Sequence, residues 1–210
     1  MELIKQLINL FLHIDKNLLM LIENFGGWSY GILAGVLFME TGLVVTPFLP
    51  GDSLLFAAGA LAARGAFNVV GLYFLLFAAV LLGDNVNYWV GRFIGPRAFS
   101  GKVKFLKKEY LDKTETFYEK YGPKAVILAR FVPIIRTFAP FVAGVGKMKY
   151  PKFIGFSVLG AFFWVTLFIW GGYFLGNFPI IKENFHYMVL LIIAVSVMPI
   201  VFEVMKSKRK

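Results

Sequence analysis

The chain has no cysteine and only two histidines among its 210 residues. Without cysteine there can be no disulfide bond and no thiolate metal site. The two histidines, His13 and His186, lie far apart along the sequence, so a histidine metal site is not expected either. The sequence therefore predicts no metal and no cofactor, and function must be sought among the other side chains.

Charged residues are also scarce, at 16% of the chain, whereas hydrophobic residues make up 59% and include 24 phenylalanines. This is more apolar material than a soluble core of this size can bury. Several apolar runs approach the ~20 residues that a helix needs to cross a bilayer. The composition predicts an all-α, multi-pass membrane protein.

Acidic residues are outnumbered by basic ones, 12 to 22, which gives a net charge of +10. The basic residues cluster between residues 93 and 125, at residues 147–152 and after residue 205. The positive-inside rule places such clusters on the cytoplasmic face, beside anionic lipid headgroups. Because every cluster adjoins a predicted membrane segment, a nucleic-acid partner is not expected.

Apolar runs and helical periodicity divide the chain into segments. Residues 1–25 predict an amphipathic helix that lies at the membrane interface. Residues 66–92 and 153–176 predict two spans, and residues 186–205 predict a C-terminal transmembrane helix. Residues 97–122 predict a charged linker helix between the two halves of the chain.

Two further segments, residues 28–63 and 124–146, combine apolar sequence with helix breakers and ionisable side chains. The ionisable residues are Glu40 and Asp52 in the first and Arg130 and Arg136 in the second, and the breaks are Pro47, Pro50, Gly51, Pro133 and Pro140. A charge near the bilayer centre costs at least ~2.5–3.5 kcal/mol. Broken backbone at that depth is tolerated only where protein or a water-filled cavity covers it. The two segments therefore predict re-entrant hairpins around a polar cavity.

Short motifs recur in the two halves. The sequence WVGRFIG at residues 89–95 is similar to WGGYFLG at residues 170–176, and FAAG at residues 56–59 is similar to FVAG at residues 141–144. One hairpin plus one span is an odd number of crossings, so the two copies must be inverted. Inverted repeats with broken helices that meet near the midplane are common in transporters.

The predicted architecture is a single membrane domain of residues 1–210. Repeat 1 covers about residues 1–96, and the linker helix opens repeat 2, which covers about residues 97–176. The helix at residues 186–205 follows the second repeat.

Arg130 and Arg136 are the predicted phosphate-binding residues. They lie six residues apart, and a break at Pro133 frees them to converge. The planar guanidinium group matches phosphate oxygens bidentately and stays charged. The alternative is that both arginines pair with Glu40 and Asp52 and hold the hairpins together. Both interpretations can hold in one cycle, because a pair broken by substrate is a natural gate.

Glu40 and Asp52 are predicted to act in proton coupling or gating, because a carboxyl group in apolar surroundings can change protonation with its environment. Asp52 is also well placed to cap a helix that begins at Ser53. Asp84 and Asn85, at the polar end of an apolar helix, are predicted to be supporting polar residues that contact a neighbouring segment.

The motifs together carry a resemblance to a known family. They are ETG at residues 40–42, PGDS at 50–53, GD at 83–84, YWVGR at 88–92 and ARFVPIIRTFAP at 129–140. This series resembles the DedA family of bacterial membrane proteins, in the VTT-domain (SNARE-associated) superfamily. The resemblance implies two opposed re-entrant hairpins, an inner (cytoplasmic) membrane location, and required roles for Glu40, Asp52, Arg130 and Arg136.

Bacterial members of that family are associated with the return of undecaprenyl phosphate from the outer to the cytoplasmic leaflet. The expected function is therefore a lipid-phosphate flippase, not an enzyme, that is driven by a proton or sodium gradient. Its expected partners are membrane lipids, with polyprenyl phosphate as the substrate. A phospholipid flippase or scramblase, an intramembrane phosphatase that uses Glu40 and Asp52, and a homo-oligomeric state are left open.

Overall fold

In the computed structural model, the described residues are 25–43, 51–94, 108–176 and 178, and their regular structure is helical. The α-helices of these residues are α1 (Trp28–Gly42), α2 (Gly51–Ala63), α3 (Val69–Ile94), α4 (Lys108–Tyr121), α5 (Ala125–Leu128), α6 (Pro133–Val145) and α7 (Tyr150–Gly176). Two 3₁₀ turns, Gly122–Lys124 and Ala129–Phe131, flank the short helix α5. The predicted all-α class is confirmed for this part of the chain.

Helices α3 and α7 are the described helices that are long and apolar enough to cross a membrane, with 26 and 27 residues. At ~1.5 Å per residue each is about 40 Å long, which exceeds the ~30 Å hydrocarbon core of a bilayer. Large apolar side chains on both helices are exposed, among them Phe74, Leu82, Phe163 and Leu167. Exposed apolar surface on this scale suits contact with lipid.

The predicted spans agree with these helices. Helix α3 begins three residues later than the predicted segment 66–92, and α7 begins three residues earlier than the predicted segment 153–176.

The predicted break at Pro133 is present. Val132 has an extended backbone, with φ −120° and ψ 104°, and α6 begins at Pro133. The ring of a proline disfavours the helical conformation of the preceding residue, and proline is well suited to the first helical position. Arg130 therefore lies in the 3₁₀ turn before the break and Arg136 lies in the helix after it.

Pro140 does not end a helix, contrary to the sequence prediction. It lies inside α6, which continues to Val145. Because proline has no amide hydrogen, the ordinary helix bond from residue 140 to the carbonyl of Arg136 is missing. Pro140 thus removes one hydrogen bond of α6, which continues as a helix to Val145.

The start of α2 corrects another prediction. This helix begins at Gly51, so Asp52 lies within its first turn and not at the capping position before Ser53. A carboxylate there still interacts favourably with the positive end of the helix dipole.

Several predicted features lie outside the described residues. They are residues 1–24 of the amphipathic helix predicted at residues 1–25, the breaks at Pro47 and Pro50, residues 97–107 of the predicted linker helix, and the transmembrane helix predicted at residues 186–205.

The described residues form two compact units. Unit 1 consists of residues 25–33, 51–75, 165–176 and 178, and unit 2 consists of residues 34–43, 76–94 and 108–164. Helices α1, α3 and α7 each contribute to both units.

In unit 1, helix α2 packs closely against the C-terminal part of α7. A Cβ atom built on Gly59 would overlap the carbonyl oxygen of Ile169, and one built on Gly172 would overlap that of Phe56. Only glycine therefore permits this approach of the two backbones.

In unit 2, helix α6 packs in the same manner against the C-terminal part of α3. A Cβ atom on Gly144 would overlap the carbonyl oxygen of Tyr88, and one on Gly91 would overlap that of Phe141. These four residues correspond to the four in unit 1 when the repeated motifs are aligned. The repeated motifs thus make the same glycine contact in each unit.

Candidate functional site

Unit 2, as far as it is described, buries four charged side chains. Glu40 lies near the end of α1, Asp84 in α3, Arg130 in the second 3₁₀ turn, and Arg136 in α6. None of them is more than 9% exposed. An isolated buried charge costs several kcal/mol, so such groups persist only with partners.

A close helix crossing brings the two acids into one region. Helices α1 and α3 meet at Gly42 and Gly83, where a Cβ atom built on Gly42 would lie 3.2 Å from the Cα atom of Gly83. A Cβ atom on Gly83 would overlap the hydroxyl of Thr41. Glu40 lies two residues before Gly42 and Asp84 directly follows Gly83, so small residues in both helices bring the two backbone segments that carry these acids close together.

Arg136 pairs with Glu40. A terminal nitrogen of Arg136 donates to the Oε1 atom of Glu40, and the two residues are 96 positions apart in the sequence. The guanidinium carbon of Arg136 also lies 4.9 Å from the ring centroid of Trp164, a fully buried residue of α7. Such a cation–π contact contributes about 2 kcal/mol or more when it is desolvated.

Arg130 pairs with Asp84. A terminal nitrogen of Arg130 donates to the Oδ2 atom of Asp84 and lies 3.3 Å from both the hydroxyl and the carbonyl oxygen of Ser157 in α7. The hydroxyl of Ser157 donates to the same carboxylate oxygen of Asp84. Helix α7 thus contributes a polar contact to this pair and an aromatic contact to the other.

Asn87 connects the backbones that carry Glu40 and Arg136. Its side-chain amide nitrogen donates to the carbonyl oxygens of Thr41 and Thr137, at 2.9 and 2.8 Å. These two residues directly follow Glu40 and Arg136 in the sequence. Asn87 is fully buried, so both bonds are shielded from water.

The four charges balance, and they act on one another. Arg136 interacts electrostatically with Asp84 as well as with Glu40, so the two ion pairs form one charged cluster. The hydroxyl of Tyr118 in α4 donates to the carbonyl oxygen of Ala139 in α6. Burial, and secondly the negative charge of Asp84, raise the pKa of Tyr118, so this hydroxyl stays neutral. The cluster offers two guanidinium groups to any anion that can replace a carboxylate.

The structure groups the predicted site residues differently from the sequence analysis. The partner of Arg130 is Asp84, which confirms that Asp84 contacts a neighbouring segment. Asp52 lies in the first turn of α2, which belongs to unit 1. Asn85 donates to the carbonyl oxygen of Leu81 and accepts from the hydroxyl of Tyr150. Asn85 therefore supports the packing of α3 on α7 and makes none of the hydrogen bonds given above for the charged cluster.

Three residues of the cluster were missed by sequence reasoning. Asn87 has a recognisable signal, because it lies three residues after Asp84 and so on the same face of α3. Ser157 and Trp164 lie seven residues apart and share a face of α7. In a segment so rich in phenylalanine and glycine, that spacing carries little information without the contacts.

Residues 49–174, more than half of the chain, match the VTT domain. The chain is 51% identical to Protein DedA of Escherichia coli strain K12 over an alignment of 212 positions, which covers 100% of the chain and 97% of that protein. The chain belongs to the DedA family. The domain match includes Asp84, Arg130 and Arg136, whereas Glu40 precedes it.

Other DedA-family relatives are more distant. An uncharacterized membrane protein of Mycobacterium tuberculosis strain H37Rv is 44% identical over 180 residues, which cover 83% of the chain and 79% of that protein. Inner membrane protein YqjA of Escherichia coli strain K12 is 34% identical over 155 residues, which cover 73% of the chain and 70% of that protein. No solved structure matches the chain. The protein is a multi-pass protein of the inner membrane.

Proposed function

We propose that this DedA-family protein transports a lipid phosphate between the leaflets of the inner membrane. We take undecaprenyl phosphate as the substrate, with no chemical change to it. The observation that carries the proposal is the pair of buried guanidinium groups on either side of the Val132–Pro133 break, each of which holds a carboxylate.

A phosphate group suits this cluster because its oxygens are acceptors of the same kind as carboxylate oxygens. Arginine binds either one through a planar set of donors. A phosphomonoester with two negative charges can replace both carboxylates, one at each guanidinium group. The polyprenyl tail stays in the surrounding lipid.

The carboxylates then act as gates. Glu40 holds Arg136 and Asp84 holds Arg130 until the substrate displaces them. Protonation of a carboxyl group weakens its hold on the arginine, so an inward proton gradient favours the exchange. Glu40 and Asp52, which the family resemblance implies are required, act as the proton-coupling acids in this proposal, and a sodium gradient is the alternative driving force.

The lengths of α2 and α6 support re-entrant hairpins. Each has 13 residues and spans about 20 Å at ~1.5 Å per residue, which is shorter than the ~30 Å core of a bilayer. The matching glycine contacts of the two units support an internal repeat. A hairpin and a span in each half give the inverted arrangement that many transporters use.

The test is leaflet exchange of a labelled polyprenyl phosphate in liposomes that contain the purified chain. Arg130→Lys and Arg136→Lys keep the charge of each buried pair but lose the planar set of donors. A hydrogen bond to a charged group contributes about 1.5–3 kcal/mol, so each variant should slow exchange about 10- to 100-fold. Arg92→Lys, at an exposed arginine of α3, is the matched control. Wild-type rates in both site variants would overturn the proposal.

The same liposomes separate the alternatives. A phospholipid flippase or scramblase would exchange labelled phosphodiester lipids at a rate equal to that of the phosphomonoester. An intramembrane phosphatase would release inorganic phosphate from the labelled substrate. The proposal requires selective exchange of the phosphomonoester and no release of phosphate.

A further inference from the structure

Three residues of α7 contact the two arginines from one side. Ser157, Gly160 and Trp164 are spaced by three and four positions, so they share one face of the helix. All three are buried. Ser157 and Gly160 lie against Arg130, and Trp164 lies against Arg136.

Gly160 makes room for the side chain of Arg130. A Cβ atom built on Gly160 would lie 2.8 Å from the Nε atom and 3.0 Å from the Cδ atom of Arg130. These distances are too short, so the arginine side chain occupies the space that a methyl group would need. Among the described residues, the Nε–H group of Arg130 has no hydrogen-bond acceptor, although it is buried. Packing against Gly160 therefore fixes the Nε side of this guanidinium group, while Asp84 and Ser157 hold its terminal nitrogen.

Trp164 fixes the second arginine in a different way. The guanidinium carbon of Arg136 lies over the indole ring, 4.9 Å from its centroid, while a terminal nitrogen of the same group pairs with Glu40. A guanidinium group held by a flat surface and by one edge has little freedom to rotate. Both arginines are thus positioned by the same helix, about one helical turn apart along α7.

We propose that Gly160 and Trp164 are positioning residues that set the separation of the two guanidinium groups for one phosphomonoester dianion. This inference rests on the proposed function. A fixed separation lets both groups bind oxygens of the same phosphate, whereas a phosphodiester has one charge and fewer free oxygens. Helix α7 therefore contributes to the selectivity of the site for a phosphomonoester over a phosphodiester.

The first test measures binding of a short-chain prenyl phosphate to the purified full chain in detergent. Gly160→Ala pushes Arg130 out of position and should weaken binding about tenfold or more, the loss of one charge-assisted hydrogen bond. Gly155→Ala is the matched control, because a methyl group added at this position of the same helix has nothing within 4 Å. Equal affinity of the Gly160→Ala and Gly155→Ala variants would overturn the inference.

A double-mutant cycle distinguishes positioning from a general packing defect. If Gly160 acts through Arg130, then Gly160→Ala should cause little further loss of affinity in the Arg130→Lys background. Losses that multiply would overturn the inference. Failure of the wild-type chain to bind the prenyl phosphate would instead overturn the proposed function, and the inference with it.

Fluorescence gives a reading that does not depend on the folding of the Gly160 variant. In a chain with Trp28, Trp89 and Trp170 replaced by phenylalanine, Trp164 is the remaining tryptophan. Added prenyl phosphate should change its emission, because the ligand binds the guanidinium group of Arg136, which lies over the indole ring. Arg136→Lys should reduce this change. An emission that the ligand leaves unaltered, while it binds, would overturn the role of Trp164.

Discussion

Replacing Arg136 alone should destabilise the protein much more than replacing Arg136 together with Glu40. Arg136→Met leaves the Glu40 carboxylate buried without the guanidinium group that pairs with it. Loss of one partner of a buried pair costs roughly 3–5 kcal/mol. Loss of the contact with Trp164 adds about 2 kcal/mol. The paired variant, Glu40→Gln with Arg136→Met, loses mainly the second contribution because neither charge remains.

Thermal unfolding of the purified protein in detergent measures these differences. For chains of about 150–250 residues, 1 kcal/mol shifts Tm by roughly 2–4 °C. Arg136→Met should therefore lower Tm by about 10 °C or more, Glu40→Gln alone by at least about 6 °C, and the paired variant by about 4–8 °C. Lys152→Met, at an exposed lysine, is the control and should change Tm by no more than about 2 °C.

The refuting result is additivity. If the Tm loss of the paired variant equals the two single losses added together, the charges of Glu40 and Arg136 do not depend on each other. The buried ion pair would then be wrong, and with it the idea that a phosphate substitutes for the Glu40 carboxylate.

Three further predictions concern single residues. Asn87→Asp removes both amide donors and turns a carboxylate toward the carbonyl oxygens of Thr41 and Thr137, so it should cost about 1–3 kcal/mol per lost bond in thermal unfolding; an unchanged Tm would contradict this role. Gly144→Ala should lower Tm because the new methyl group overlaps Tyr88, whereas Gly155→Ala, inside a helix with open space, should raise stability by up to about 1 kcal/mol. Glu40→Gln should remove the dependence of leaflet exchange on a pH gradient, measured in liposomes with imposed gradients; full retention of that dependence would make Glu40 structural.

The membrane helices could be predicted from sequence because their signal is local. Apolar run length gave α3 and α7 to within three residues at each end. The break at Pro133 was also predictable, since a proline restricts its own backbone and that of its neighbour. Pro140 was misjudged because a helix that packs on both sides of a proline can continue through the missing bond.

The pairing of charges could not be predicted to the same extent. The sequence analysis considered Glu40 and Asp52 as partners of the arginines, but Arg130 pairs with Asp84, 46 positions away. Which acid meets which arginine depends on where helices cross, and the crossing at Gly42 and Gly83 has no local sequence signal beyond two small residues. Long-range contacts of this kind follow from tertiary packing.

Prolines at both ends of one short stretch have a consequence for movement. Residues 133–140 begin with Pro133, which directly follows the extended Val132. They end with Pro140, which has no amide hydrogen to donate to the Arg136 carbonyl oxygen. Such a stretch can bend at Pro140 without breaking a backbone hydrogen bond there, because that bond is already absent, whereas the bond from the Arg136 amide to the Val132 carbonyl oxygen ties its start. Because Arg136 lies midway along it, any such bend would move its guanidinium group relative to the Glu40 carboxylate.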